Sequence, residues 1–414
     1  MLAKKNSVYA LSAALFAAAL TGDVVTTHAQ DTNKDTIKLG VALELSGRFV
    51  SFGVYCRDGV EMAGERWGDT VAGKKIEFVY DDLQSDAQTT VTAFTELLST
   101  SKINYIIGPT ASPIAAAAIG PWRQTKPIWI VPGASTTTME KEVGGEPNFF
   151  HTYPYAYHYQ ETLSGAFKHY LGPGKKVAIL YVDDAYGRTH EPLVREYFTK
   201  AGFEIVADEI MRANSPDLNP VLTKIRATRP DILMGLVQTT DAVTLAKQVY
   251  TRSLKIPYLV GAASTQHREW QEAVGEAQEG WIGVGTYLPK LVNWPANPDY
   301  PKVFMSTAEW EKLFEARFKR QPNYDDIMCY TNAAQLLIAI EKAGGDYKDK
   351  VAAELAKLDV MSPFGPTKFS KTAGGTRNQA FSDMLVFQRH NNSNVLLYPL
   401  AVAAKDAKMI QAPR

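Results

Sequence analysis

Three strand-to-loop junctions in this chain carry small hydroxyl residues at a spacing that suits a small anion. Residues 103–107 run into Gly108-Pro109-Thr110-Ala111-Ser112-Pro113 and then an Ala-rich helical pattern. Residues 128–131 run into Pro132-Gly133-Ala134-Ser135-Thr136-Thr137. The first strand leads to Leu45-Ser46-Gly47-Arg48-Phe49. Where a loop enters a helix, the first backbone N–H groups lack helical partners, and the positive end of the dipole favours negative charge. Ser112, Ser135 and Thr136 add hydroxyl donors there, and a carboxylate is the natural guest. Plain capping of the following helices by Ser112 and Ser135 is the alternative. Arg48 has a planar fork that can meet a carboxylate bidentately.

Catalytic signatures are missing. There is no G-x-S-x-G elbow, no G-x-x-x-x-G-K-[ST] phosphate loop, no H-E-x-x-H and no G-x-G-x-x-G. Seven histidines are scattered, and His151 and His158 come closest to a pair, without a cysteine nearby. No metal and no cofactor are expected. Acidic pairs stand at Asp81-Asp82, Asp183-Asp184 and Asp325-Asp326. The first two follow predicted strands, and such pairs read as turn formers and caps. An exported α/β enzyme is the reading these absences argue against.

The elements that must position the loops alternate. Strand character recurs at 37–43, 76–80, 103–107, 128–131, 176–182, 203–207, 232–237 and 258–260. After Asp86, apolar residues at Ala87, Val91, Phe94, Leu97 and Leu98 fall on one helical face. Residues 189–201 and 241–251 behave similarly. This predicts an α/β fold of doubly wound parallel sheets covered by helices on both faces. The pattern occurs twice, over 36–150 and again from Lys176, so two lobes are expected. Further on, helices are predicted over 309–318 and 330–343, then Gly/Pro-rich strand-like pieces from Met361.

Composition narrows the class. The chain has 414 residues, with 44 Lys+Arg against 44 Asp+Glu. It lacks the basic excess of a nucleic-acid binder. Its length suits roughly two or three domains. Lys4 and Lys5 precede an apolar run from Val8 to Leu20, and the stretch ends Thr27-His28-Ala29. This pattern predicts a signal peptide over residues 1–29, cleaved after Ala29, and export of the mature chain. Cys56 and Cys329 are the only cysteines. Export permits a disulfide between them, but spacing alone leaves a bridge and two buried thiols equally open.

The ordered series LGVALELSG, DDLQSD, YIIGPTASP, PIWIVPGAST, VAILYVDDAYGR and GPTKFS resembles the periplasmic solute-binding proteins of branched-chain amino acid (type I, leucine-binding-protein-like) ABC transporters. The resemblance covers nearly the whole mature chain. It implies two lobes joined by a three-segment hinge, with ligand trapped between them and hinge closure as the motion. On that basis the N-terminal lobe spans 31–153 plus 288–358, and the C-terminal lobe 154–287 plus 359–414. It also implies a monomer that delivers its ligand to a membrane permease and ATPase complex.

Carried over residue by residue, the family's carboxylate grip falls on Ser112 and on Ala134, Ser135 and Thr136. Its second-lobe tyrosine falls on Tyr186, and its aromatic contact after the first strand on Phe52. The amine grip does not carry over. Where relatives place acids, this chain has Ala156 and Ala263. Asp241 or Glu269 would have to compensate. Burying an unpartnered ammonium costs several kcal/mol, so a cleft without those acids rejects amino acids and accepts simple carboxylates.

Tyr153, Tyr155, Tyr157 and Tyr159 alternate with period two. An extended chain presents Tyr155 and Tyr157 on one face, where they would line the cleft with Phe49, Phe52 and Tyr186. Rings pack well against rings, so an aromatic acid such as a benzoate or a phenylpropenoate is the expected ligand. Packing of these tyrosines within the hinge is the alternative. A branched-chain amino acid or amide binder, and a ligand-sensing receptor component, are the competing functions.

Overall fold

A computed structural model describes residues 35–413. The predicted signal peptide, residues 1–29, lies outside the described residues. Strands β1 (Thr36–Leu43), β2 (Thr70–Val71), β3 (Lys74–Asp82), β4 (Tyr105–Ile107), β5 (Ile128–Val131) and β6 (Phe149–His151) form one sheet, ordered β2-β3-β1-β4-β5-β6. Strands β7 (Lys176–Val182), β8 (Glu204–Met211), β9 (Ile232–Leu236), β10 (Tyr258–Val260) and β11 (Trp281–Gly285) belong to a second. A separate hairpin pairs β12 (Asp359–Ser362) with β13 (Gly365–Lys368). The second sheet is completed by β14 (Leu385–His390) and β15 (Ser393–Tyr398), in the order β15-β14-β11-β10-β9-β7-β8. These are the two α/β layers expected, with helices packed on the strands.

The helices are α1 (Val50–Trp67), α2 (Ala87–Ser99), α3 (Ser112–Thr125), α4 (Thr137–Val143), α5 (Ala156–Leu171) and α6 (Ala185–Lys200). They continue as α7 (Asn219–Ala227), α8 (Thr239–Thr251), α9 (Arg268–Val274), α10 (Thr307–Phe318), α11 (Tyr324–Ala343) and α12 (Lys348–Ala356). Central strands β5, β9 and β11 are buried along their whole length, as strands covered on both faces must be. Asp86 caps α2 as expected, accepting from the Thr89 amide at 2.8 Å. Among the described residues no helix is long and apolar enough to cross a membrane.

Three expectations need correction. The sheets are not wholly parallel: β2, β14 and β15 pair antiparallel. The β14–β15 turn is Asn391-Asn392, both at positive φ, which suits a tight hairpin on a sheet edge. Strand β11 was not foreseen, because Gly283 and Gly285 weaken its strand signature. A Cβ on Gly283 would stand 2.1 Å from the Thr265 hydroxyl and 2.2 Å from the Phe387 ring, so only glycine lets those groups approach. The Tyr-rich segment is not extended. Helix α5 begins at Ala156, with Tyr155 as its N-cap donating its amide to His158 Nδ1 at 3.1 Å.

Helices α1 and α11 pack face to face. A Cβ on Gly59 would fall 2.0 Å from the Asp326 carbonyl oxygen. The same approach joins Cys56 to Cys329, with Cα atoms 5.1 Å apart, which resolves the open choice in favour of a disulfide. Helix α11 starts before Tyr330, where its pattern suggested, because Asn323 and Asp326 form a capping box over its first turn.

Candidate functional site

The loops after β1, β4 and β5 meet those after β7, β9 and β10 between the two sheets. Ala111, not Ser112, is the N-cap of α3. The Ser112 hydroxyl is therefore not spent on capping: it is 1% exposed and has no hydrogen-bond partner. Thr136 caps α4 by accepting from the Thr138 amide at 3.2 Å. That leaves Ser135 for another contact, and its Oγ lies 2.8 Å from His190 Nε2 of the second lobe. Ala134 has the left-handed backbone (φ 58°), and its carbonyl meets His151 Nε2 at 3.1 Å. Burial pushes His190 down to about 3, so the ring is neutral and can serve Ser135 as donor or acceptor.

A buried acid missed in the sequence shapes the same loop. Glu44, at the end of β1, is fully buried. It accepts from the Thr110 hydroxyl at 2.8 Å, from the Ala111 amide at 2.9 Å and from the Thr110 amide at 3.2 Å. Burial pushes its pKa up to about 7, against the opposing pull of the Ala111 and Thr110 donors. Part of the donor set at the β4–α3 junction is thus already filled by the chain itself, leaving Ser112 as the open donor. An acid one residue past a buried strand was the signal available.

The lobes touch through a set of polar contacts. Thr136 Oγ1 lies 2.8 Å from Thr189 Oγ1. The Tyr55 hydroxyl donates to Glu269. Arg48 reaches Asp241 at 2.9 Å and Asp184 at 3.1 Å. Asp184 is also the N-cap of α6, accepting from the Tyr186 amide at 2.9 Å. The expectation that Arg48 would grip a ligand carboxylate is therefore corrected: its guanidinium faces two carboxylates of the chain. Asp241 and Glu269 are each engaged by a first-lobe side chain, so neither stands ready as a replacement acid.

Aromatic rings run from one end of the interface to the other. Tyr186 lies 4.2 Å and Tyr159 5.1 Å from the His190 ring. The Tyr159 hydroxyl donates to that of Tyr153, and Tyr153 stacks on Tyr324 at 5.5 Å. Tyr324 lies 5.7 Å from His267, which Phe52 meets edge-on at 4.8 Å. Phe52 and Tyr186 thus share one run of rings. Phe49 sits under the Arg48 guanidinium at 4.7 Å.

Tyr155 and Tyr157 go elsewhere. Tyr155 is fully buried, stacked on His151 at 4.1 Å, with its hydroxyl 2.7 Å from that of Thr376. The Tyr157 hydroxyl donates to Glu140 at 3.2 Å. Both pack where residues 151–155 run beside 376–380, so the crossing takes the pair placed in the cleft by the period-two reading. The two rings stay side by side, 5.8 Å apart, but the turn into α5 at Ala156 sets the pair against Thr376 and Glu140. Ala156 donates its amide to the Ser135 carbonyl at 2.8 Å. Ala263 is buried in a short 3-10 turn over Ala262–Gln266.

A further acid at this interface is Asp325. The capping role in α11 falls to Asp326, and Asp325 lies 3.4 Å from His267 Nε2, both side chains almost fully buried. Burial raises the Asp325 carboxyl and His267 opposes that rise. Asp325, His190, His267, Tyr153 and Tyr324 were not placed at the site from sequence, because two lie in a helix far down the chain and the histidines belong to no spaced motif. Among the described residues no group of three His, Cys, Asp or Glu side chains suits a metal ion.

The family model for periplasmic binding protein matches residues 36–393. The chain is 21% identical over 388 residues to the Leu/Ile/Val-binding protein homolog 7 of Brucella suis biovar 1 (strain 1330), covering 91% of this chain and 94% of that one. Its fold is similar to that of a leucine binding protein from Thermotoga maritima MSB8, with TM-score 0.75 and 20% identity over 87% of this chain and 97% of the other. It is also similar to a solute binding protein of an R. palustris ABC transporter in complex with benzoate. There the TM-score is 0.77, with 23% identity over 91% of this chain and 99% of that one.

Proposed function

This chain belongs to the periplasmic binding protein family, the non-enzymatic solute-binding components of ABC importers, and on that premise we propose that its cleft captures a small carboxylate, an aromatic acid such as a benzoate or a phenylpropenoate. The ligand passes to a membrane permease and ATPase complex after the lobes close on it in the periplasm. The observation that carries this reading is the Ser112 hydroxyl, buried and unpartnered at the start of α3, in an interface framed by Tyr153, Tyr159, Tyr186, Phe52 and His267. A carboxylate oxygen satisfies that hydroxyl, and a ring finds edge and face partners. The benzoate held by the R. palustris protein is consistent with this chemistry.

One observation favours a second reading. Asp325 supplies a buried carboxylate that a ligand ammonium could meet, as an amino-acid binder needs, and the Thermotoga maritima relative is a leucine binding protein. Calorimetry with benzoate, cinnamate, leucine and isoleucine separates the two. Micromolar or tighter binding of an aromatic acid with no heat from leucine supports the first; the reverse pattern overturns it.

A further inference from the structure

Asp325 and His267 come from different lobes, α11 and the turn before α9, and face each other at 3.4 Å. That distance is within ion-pair range but too long for a normal hydrogen bond. Asp325 Oδ2 and His267 Nε2 both remain without a hydrogen-bond partner, although the residues are 1% and 2% exposed. Buried polar atoms are almost always paired, so two orphans facing each other need an explanation. They stand at the Phe52 end of the run of rings, and Ser135 with His190 stands at its other end.

We propose that Asp325 and His267 form a second polar pole of the ligand site, which recognises a ring hydroxyl, so that the ligand is a hydroxylated aromatic acid. This rests on the aromatic-carboxylate reading above. A hydroxyl satisfies both orphans at once: its proton goes to Asp325 Oδ2, and its oxygen accepts from His267 with the imidazole proton on Nε2. An unsubstituted ring satisfies neither. The Tyr159 hydroxyl is spent on Tyr153, to which it donates.

The test is calorimetry on the purified full-length protein with two matched pairs, benzoate against 4-hydroxybenzoate and cinnamate against 4-hydroxycinnamate, plus leucine as a control. The hydroxylated member of at least one pair should bind about tenfold tighter or more, the scale of one hydrogen bond to a charged group. Asp325→Asn should abolish that preference while leaving the unsubstituted acid within about threefold. His267→Phe keeps a ring against Phe52 and Tyr324, and should also abolish it. Either variant suffices if the other does not fold. Equal affinity within both pairs, or a preference that survives both substitutions, overturns the hydroxyl pole and leaves the aromatic-acid reading standing. Binding of leucine with no aromatic acid bound overturns both.

Discussion

Arg48 of the first lobe holds Asp241 of the second at 2.9 Å, across 193 residues of chain. The same guanidinium lies 3.1 Å from Asp184, and Asp241 also accepts from the Asn214 amide at 2.7 Å. The side chains are 13%, 10% and 1% exposed, so water screens them little. This contact joins the two lobes, which makes Arg48 a latch between them rather than a ligand clamp.

Arg48→Met should therefore weaken ligand binding without touching the ligand. Removing one partner of a buried ion group costs about 3–5 kcal/mol in the state that contains it. Here that state is the one in which the lobes meet, and affinity for a ligand held between them falls with its population. The expected outcome is a loss of about two orders of magnitude in affinity by calorimetry, with a larger radius of gyration for the unliganded variant in X-ray scattering. Unchanged affinity would show that the ion group adds nothing to closure.

Ser112→Ala should have opposite effects on stability and binding. The hydroxyl is buried and unpartnered, so deleting it removes a desolvation cost of about 1 kcal/mol and raises the melting temperature of the free protein slightly. The same deletion removes a donor to the ligand, and carboxylate affinity should drop about tenfold. Ser135→Ala leaves His190 Nε2 without its 2.8 Å partner, and should lower both.

Glu44 predicts a pH dependence. Burial lifts its folded-state pKa to about 7, from an ordinary value near 4.5. The folded chain keeps that proton to higher pH than the unfolded chain. The contribution to stability is thus fully present below about pH 4.5 and is lost as pH rises through 7. The size is on the order of 3 kcal/mol at most. Glu44→Gln should flatten the melting curve's pH dependence over that window. A wild-type and variant profile that run parallel there would contradict the assignment.

Replacing Cys56 and Cys329 by serine together should cost about 2–5 kcal/mol of stability, measured by denaturant unfolding. Both sulfurs are fully buried in the α1–α11 contact, so reductant should act only when the chain unfolds.

Much of the fold was legible. Strands at 128–131, 176–182 and 258–260 stand where the apolar runs put them, and α2 begins at its Asp86 cap. Burial repeats at two or 3.6 residues whatever the partner, so it is written in local sequence. The Tyr-rich segment deceived because tyrosines at period two fit a strand, while Tyr155 and His158 close a helix cap. The glycine-bearing β11 carried too weak a local signal.

The amino-acid sequence by itself determined the two α/β units, the hydroxyl-bearing loops at their strand ends, and the lack of acids at positions 156 and 263. Only the tertiary structure decided what those groups meet. It sent Arg48 to Asp241 and Asp184, Tyr155 to the hinge, and Asp325 into the interface beside His267. A side chain's periodic burial depends on neighbours three or four residues away. Its partner across a cleft depends on two chains of strands and helices being brought together, and no local spacing records that distance.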